Sequence, residues 1–248
     1  MPEHYFGFIG LGRESLRYIV ALSAVCSSLF IVIALWDGFR LRPKTYGLTP
    51  LAIATFVAQC LVSIVGPSTS QSYLWSHNTA SNYLQFGVPL MLLAIIFWQY
   101  LRYGPRQHPL VPNVTDRFHV LAWVALVVSF AVSWTFVVYH QDFFVNELQP
   151  TLNLIASVSL LAAVFVREDI RGLSVPGAWF YFAGNLLLYA SMWAGEMSDP
   201  YPMAQHGYTY IYWIWMMIFA FNIAYAVLLR QRKRSGAILK LPAFANVA

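Results

Sequence analysis

The chain has 248 residues, of which 59% are hydrophobic and only 10% are charged, and its mean hydropathy is +0.58. A soluble domain carries roughly 25% charged residues, and so little polar chain cannot cover the outside of a water-soluble fold. The same values exclude a disordered chain, and the net charge of +5 is divided among short connections between apolar stretches, which excludes a nucleic-acid binder.

Seven apolar segments are long enough to cross a lipid bilayer, which takes about 20 residues of helix. They contain no Asp, Glu, Lys or Arg and lie at residues 18–36, 48–66, 83–101, 118–139, 148–166, 175–193 and 208–229. Because the connections are short, we predict an all-α, polytopic membrane protein. It would be a single seven-transmembrane-helix bundle, one integral membrane domain over residues 1–248.

The basic residues alternate from one connection to the next. Thirteen of the 15 Lys and Arg residues follow segments 1, 3, 5 and 7, and the other two precede segment 1. Since cytosolic connections of membrane proteins are enriched in Lys and Arg, we predict a luminal N-terminus and a cytosolic C-terminus. The expected location is the endoplasmic reticulum membrane.

Amide side chains occur inside three of the segments, where polar groups mark either helix packing or function. Gln59, Asn185 and Asn222 lie at comparable depths on different segments. They would either form hydrogen bonds between helices or orient a substrate in an apolar pocket. Tyr225 and Trp215, from the aromatic-rich last segment, complete the predicted substrate-binding set.

The connections on the opposite side from the basic ones are acidic. They include Asp142, Glu147, Glu196 and Asp199. These carboxyl groups would be solvated loop charges or, at the rim of an apolar pocket, the general acid and base of an enzyme. We expect neither a metal nor another cofactor, because no metal-ligand spacing occurs and the two cysteines lie inside apolar segments.

Several stretches resemble the fungal transmembrane terpene cyclases of meroterpenoid and indole-diterpene biosynthesis. Residues 44–51 (KTYGLTPL) resemble the family's Tyr-Gly-x-x-x-Leu entry into the second span. Asn153, Ser157, Arg167 and residues 171–174 (RGLS) resemble its Asn-x-x-x-Ser, Arg and Arg-Gly-x-Ser run. Residues 221–225 (FNIAY) resemble its Phe-Asp-x-x-Tyr. The likeness implies seven spans and an enzyme of secondary metabolism.

The chain departs from this family at its acidic positions. Where the family has Trp-Glu in the second span and Asp in the last, this chain has Ala58-Gln59 and Asn222. An amide donates hydrogen bonds but does not act as an acid. The resemblance therefore implies a divergent, ascofuranone-type, epoxide-opening branch, with its acid among Glu196, Asp199, Glu147 and Asp142.

We therefore expect an enzyme that takes an epoxidised terpenoid or polyketide and opens the epoxide, as a terpene cyclase by internal cyclisation or as an epoxide hydrolase with water. Trp123, Trp134 and Trp179 are candidate rings for stabilising a carbocation, although packing is the expected role of most of them. Glu168 and Asp169, beside Arg167 and Arg171, are expected to form a solvated ionic turn. The expected partners are a lipophilic substrate and the lipid bilayer, with other enzymes of the pathway as candidates. A small seven-span transporter and a non-catalytic membrane scaffold or receptor are the alternatives.

Overall fold

The computed structural model describes residues 13–41, 47–69, 79–105, 115–139, 149–167, 170–197 and 210–235. These residues form seven α-helices: α1 (Arg13–Arg40), α2 (Pro50–Thr69), α3 (Thr79–Tyr103), α4 (Thr115–Tyr139), α5 (Gln149–Val166), α6 (Val175–Met197) and α7 (Tyr210–Ser235). No strand occurs within these ranges, so the all-α prediction is confirmed for them.

Each predicted apolar segment coincides largely with one helix, and six of the seven helices extend past their segment at one end or both. The last segment was predicted to end at residue 229, for example, whereas α7 continues to Ser235 through four basic residues. The reason is that a helix needs only backbone hydrogen bonds to continue, whereas a hydropathy segment ends at the first charges.

Two helical stretches within the described ranges, Ala21–Arg40 and Tyr210–Ser235, are long and apolar enough to cross a membrane by length and composition. Shorter apolar stretches, of 10–17 residues each in the described part, are Leu51–Leu61, Gly87–Tyr103, Arg117–Val132 and Pro150–Val166.

Helix α2 lies at the centre of the fold. Every residue from 52 to 58 is buried, and the helix contacts α3, α4 and α5. The other main contacts pair α1 with α6 and α3, and α7 with α5 and α6. Six helices, α2 among them, therefore form a closed ring, and α4 packs outside it against α2 and, less closely, α3. Small residues such as Ala52, Ala54 and Ala58 suit α2 to this position, because they allow the backbones of neighbouring helices to approach closely.

The starts of α2 and α6 are defined by side-chain caps. The Thr49 hydroxyl accepts a hydrogen bond from the Ala52 backbone N–H at 3.2 Å, and the Ser174 hydroxyl accepts one from the Gly177 N–H at 3.2 Å. Each cap satisfies one of the backbone donors that a helix leaves without an internal partner at its first turn. Pro50 at the first position of α2 fits the same role, because it has no N–H to satisfy.

The basic ends of the helices lie together at one end of the bundle. Gln99 near the end of α3 donates to the Leu35 carbonyl near the end of α1 at 3.4 Å. Lys233 on α7 donates to the Arg171 carbonyl between α5 and α6 at 3.4 Å and lies in electrostatic range of Asp37 on α1. The structure thus joins the ends of four helices whose connections the sequence marks as basic, and we call this the basic end.

Candidate functional site

Four of the five predicted substrate-binding residues are buried on two neighbouring helices. Asn185 lies on α6, and Trp215, Asn222 and Tyr225 lie on α7, each less than a twentieth exposed. Gln59 is partly buried on α2, one turn beyond Phe56. The structure therefore brings the amides of α6 and α7 into the bundle interior and leaves Gln59 nearer its edge.

The three predicted residues of α7 share one face of the helix. Trp215, Asn222 and Tyr225 are spaced seven and three residues apart, with Ile218 between them, and all four side chains are buried. At a rise of 1.5 Å per residue, Asn222 lies about 10 Å along the axis from Trp215 and about 4.5 Å from Tyr225. Tyr225 is in turn within electrostatic range of Tyr181 and Arg167.

Tyr181 is the centre of a hydrogen-bonded group between α5 and α6. Its hydroxyl donates to the Asn153 carbonyl at 3.3 Å and lies 3.4 Å from the Ser157 hydroxyl oxygen, which itself donates to the Asn153 carbonyl at 2.7 Å. Asn185 donates from Nδ2 to the Tyr181 backbone carbonyl one turn earlier at 3.1 Å. These contacts fix the Tyr181 ring in the interior because a buried hydroxyl that lost them would be costly.

Two aromatic groups enclose this polar interior. On the side of the basic end, the Tyr181 ring packs against Phe30 and Phe56, with ring centroids 4.9 and 5.7 Å away. Farther along the bundle, the Trp215 ring lies 5.7 Å from Tyr189 and 6.0 Å from Phe219. Faces of aromatic rings attract positive charge, so both groups suit chemistry that passes through a cation.

Asn222 has an unusual environment for an amide. Its side chain is 0% exposed, and neither Nδ2 nor Oδ1 has a hydrogen-bond partner within the described residues. The indole Nε1 of Trp215, two turns away on the same face, is likewise buried without a partner there. A buried amide without hydrogen bonds costs a few kcal/mol, so these atoms mark the point of the interior where a polar ligand group would be bound most favourably.

The predicted catalytic carboxyl groups fall largely outside the described residues, as Asp142, Glu147 and Asp199 all do. Glu196 occupies the last turn of α6. It follows Asn185 by eleven residues, about three helical turns, so both positions lie on the same side of α6. Glu196 is at the end of the helix that lies away from the basic end.

Two of the three candidate tryptophan rings do not surround an interior cation. Trp123 and Trp179 are 51% and 42% exposed, so they lie on the outside of the bundle. Trp134 lies among the side chains that are not described.

The predicted ionic turn, Glu168 and Asp169, lies outside the described residues. Of the two arginines beside it, Arg171 is exposed and Arg167 is buried.

Tyr181 was not predicted as a site residue, although its partners were noted in the sequence. Asn153 and Ser157 are four residues apart on α5, a spacing that places both on one helix face. Such a polar pair in an apolar helix signals a partner on a neighbouring helix. Nothing in the sequence says that this partner is Tyr181, because the choice depends on α5 and α6 being close in space.

No group of three or more His, Cys, Asp or Glu side chains in the described ranges is arranged to hold a metal ion. What the interior offers chemically is a set of hydroxyl and amide groups enclosed by aromatic rings. No family model matches the chain, and no curated protein or solved structure shows significant similarity to it.

Proposed function

We propose that this chain is a seven-span membrane enzyme that opens an epoxidised terpenoid or polyketide, by internal cyclisation or with water. The observation that carries the proposal is the Asn222 amide, which is fully buried, has both polar atoms without partners in the described structure, and lies on the same face of α7 as the aromatic group around Trp215. Such a group would orient the oxygen of a lipophilic substrate while the rings exclude water.

The membrane placement is supported by the outer surfaces of the helices. Helix α4 exposes Val120, Leu121, Val124, Val127 and Val128 on the side turned away from α2, and exposed apolar patches of this kind suit contact with lipid. A bundle in the endoplasmic reticulum membrane would meet polyprenyl and polyketide chains directly, since they partition into the bilayer.

The proposed reaction begins with a proton delivered to the epoxide oxygen. As the C–O bond breaks and the oxygen becomes a hydroxyl, the electron pair of an alkene or a hydroxyl group of the same substrate attacks the electron-poor carbon. The proton released by that group or by the resulting cation passes to a base, so the product is an isomer of the substrate. If water attacks instead, the product is a diol that has gained one water.

The chain's residues have distinct roles in this scheme. Nδ2 of Asn222 donates a hydrogen bond to the epoxide oxygen, and Asn185, Tyr225, Trp215 and Gln59 orient the rest of the substrate. Among the candidate acids Glu196, Asp199, Glu147 and Asp142, we favour Glu196, because it repeats the register of Asn185 on α6.

Product analysis tests the proposal. The protein would be expressed in a yeast that lacks the pathway, and its microsomes would be given an epoxyfarnesyl-phenol and an epoxy-polyene. An isomer of equal mass relative to empty-vector membranes would identify a cyclase, and a gain of one water an epoxide hydrolase. Transport of unmodified substrate into vesicles, or a stable protein partner with no chemical change, would contradict the proposal in favour of a transporter or a scaffold.

The variant Asn222→Leu separates a functional amide from a structural one. Removing an amide that lacks partners should raise the melting temperature, while the loss of its hydrogen bond to substrate should lower turnover roughly tenfold. The matched control is Gln99→Leu, a buried amide that donates to the Leu35 carbonyl between α1 and α3, which should lose stability and keep its turnover per folded protein. Full activity in Asn222→Leu would show that the amide does not contact substrate.

Glu196→Gln and Asp199→Ala test which carboxyl group delivers the proton to the epoxide oxygen. We expect Glu196→Gln to lose turnover at normal protein levels, because an amide donates hydrogen bonds but does not act as an acid. Undiminished turnover in that variant would remove Glu196 as the acid and leave Asp199, Glu147 and Asp142.

A further inference from the structure

Three aromatic side chains meet inside the ring of helices, although their helices are not all neighbours. In the ring, α2 is separated from α1 by α3 and from α6 by α5 and α7. The Phe56 ring of α2 nevertheless lies 6.2 Å from the Phe30 ring of α1 and 5.7 Å from the Tyr181 ring of α6. The Phe30 and Tyr181 rings lie 4.9 Å apart. These three side chains therefore reach across the interior, and we call them the aromatic floor.

The aromatic floor closes the interior toward the basic end in the part of the chain that the structure describes. Each of its side chains is less than a tenth exposed, and the centroid distances are those of rings in contact. Phe56 and Tyr181 each lie six residues after the start of their helix at the basic end, which is a depth of about 9 Å. An apolar chain cannot pass between rings packed in this way.

The Asn222 amide lies beside the aromatic floor, on the side away from the basic end. Tyr225 is within electrostatic range of Tyr181, and Asn222 precedes Tyr225 by one helical turn, about 4.5 Å along α7. A substrate oxygen bound at Asn222 would thus have only about one turn of helix between it and the floor. In the opposite direction, the buried face of α7 continues for about 10 Å to Trp215.

We propose that Phe30 and Phe56 are specificity-determining residues, which admit an apolar chain only when the oxygen bound by Asn222 lies close to one end of that chain. The short end would contact the two phenyl rings, and the long part would extend along α7 toward Trp215. This inference rests on the proposed function for the role of Asn222. It requires the interior to distinguish positional isomers of an epoxide that have the same composition.

Binding of two such isomers tests the proposal without requiring turnover. The purified full chain in a neutral detergent would be given 1,2-epoxyhexadecane, with its epoxide at the chain end, or 7,8-epoxyhexadecane, with its epoxide near the middle. We expect the first isomer to raise the melting temperature by roughly 2–4 °C and the second to leave it unchanged. An equal rise with both isomers, or no rise with either, would overturn the proposal.

The variant Asn222→Leu shows whether the epoxide is bound next to the aromatic floor. It should abolish the rise given by 1,2-epoxyhexadecane, measured against the same variant without ligand, because the hydrogen-bond donor is gone. A rise that persists in this variant would place the epoxide elsewhere in the protein and would overturn the proposal.

The variant Phe56→Ala should remove the discrimination between the isomers. Truncation of a buried Phe leaves an apolar cavity that stays dry and accepts apolar groups, so 7,8-epoxyhexadecane should now raise the melting temperature as much as its isomer. If Phe56→Ala does not fold, Phe56→Leu removes fewer atoms and should bring the second isomer to at least half of the first isomer's rise. Unchanged discrimination in the folded Phe56 variant would overturn the proposal.

The matched control is Phe97→Ala. Phe97 is buried to a similar degree on α3, and its ring lies 5.1 Å from that of Trp123 on α4, the helix outside the ring. This variant should lose a similar amount of stability and keep the discrimination between the isomers. Loss of discrimination in Phe97→Ala would show that it follows from any loosening of the core, which would overturn the role of the aromatic floor.

This proposal and the proposed function fail separately. Selective binding of 1,2-epoxyhexadecane by a protein that converts no epoxide would support the aromatic floor and contradict the enzyme. Conversion of the epoxyfarnesyl-phenol by a protein that binds both isomers equally would support the enzyme and overturn the role of Phe30 and Phe56.

Discussion

At the scale of single residues, two buried polar groups of the interior differ in their hydrogen bonding. The Tyr181 hydroxyl is held by α5, whereas the Asn222 amide on the adjoining helix is buried to the same degree with no partner in the described structure. Asn185 donates from Nδ2 to a backbone carbonyl of its own helix, whereas the sequence left open whether its amide bonds a neighbouring helix or a substrate. The depth of an amide along a helix could be estimated from sequence, but its partner could not.

Gly47 shows how closely single residues control the approach of neighbouring segments. A Cβ atom at this position would lie 2.8 Å from the Ala34 carbonyl oxygen and 2.9 Å from its Cα, both backbone atoms that cannot move aside. Glycine has no Cβ, so the chain entering α2 can lie directly on α1.

We predict that Gly47→Ala lowers the free energy of unfolding by about 1–3 kcal/mol, the usual cost of forcing an extra carbon into a packed site. Thermal unfolding of the purified variant measures it. The control is Gly87→Ala on α3, where a Cβ would meet nothing within 4 Å and the better helix former should leave stability unchanged or raise it by up to about 1 kcal/mol. Equal stability of the two variants would mean that the α1–α2 contact is not tight.

At the scale of helices, a few polar side chains both end an element and join it to another. The Thr49 hydroxyl caps the first turn of α2 and also hydrogen-bonds to the Ser159 hydroxyl of α5, and both side chains are buried. The Ser23 hydroxyl of α1 donates to the Gly184 carbonyl of α6 at 2.8 Å. In apolar surroundings such bonds specify which helices are neighbours, because leaving either group alone costs free energy.

A double-mutant cycle measures the Thr49–Ser159 bond. For Thr49→Val, Ser159→Ala and the double variant, we expect a coupling free energy of about 0.6–1.7 kcal/mol, the range seen for hydrogen bonds between helices in membranes. The reference pair is Thr49 with Thr135 on α4, whose hydroxyl donates to the Ala131 carbonyl of its own helix at 2.8 Å and shares no partner with Thr49. That pair should be additive within about 0.5 kcal/mol, and an equally small coupling for Thr49 and Ser159 would refute the joining role.

At the scale of the whole molecule, the charge of the connections alternates along the sequence. Thirteen basic residues follow the predicted apolar segments 1, 3, 5 and 7, whereas the predicted acids Asp142, Glu147, Glu196 and Asp199 follow segments 4 and 6. This asymmetry is the basis for predicting the orientation in the membrane, because Lys and Arg in short connections stay on the cytosolic side.

Glycosylation reports this orientation. We predict that an acceptor site added to the N-terminus is glycosylated in microsomes and that one added to the C-terminus is not. The chain also contains its own acceptor pattern, Asn113-Val114-Thr115, in a connection that is cytosolic under this orientation and should therefore stay unmodified. Modification at Asn113 or at the C-terminus, read as a mass shift that an endoglycosidase removes, would reverse the predicted orientation.

The sequence by itself determined the helices, because the length of an apolar stretch and the charges that flank it are local properties of the chain. It also indicated that Asn185, Asn222, Tyr225 and Trp215 belong to the interior, as their burial agrees. Only the tertiary structure decided which polar groups have partners. Tyr181 is satisfied because α5 lies beside α6, and Arg232 reaches the Val164 carbonyl because α7 lies beside α5. Those neighbours depend on the order of the helices in space, which results from packing over the whole chain and which no single segment encodes.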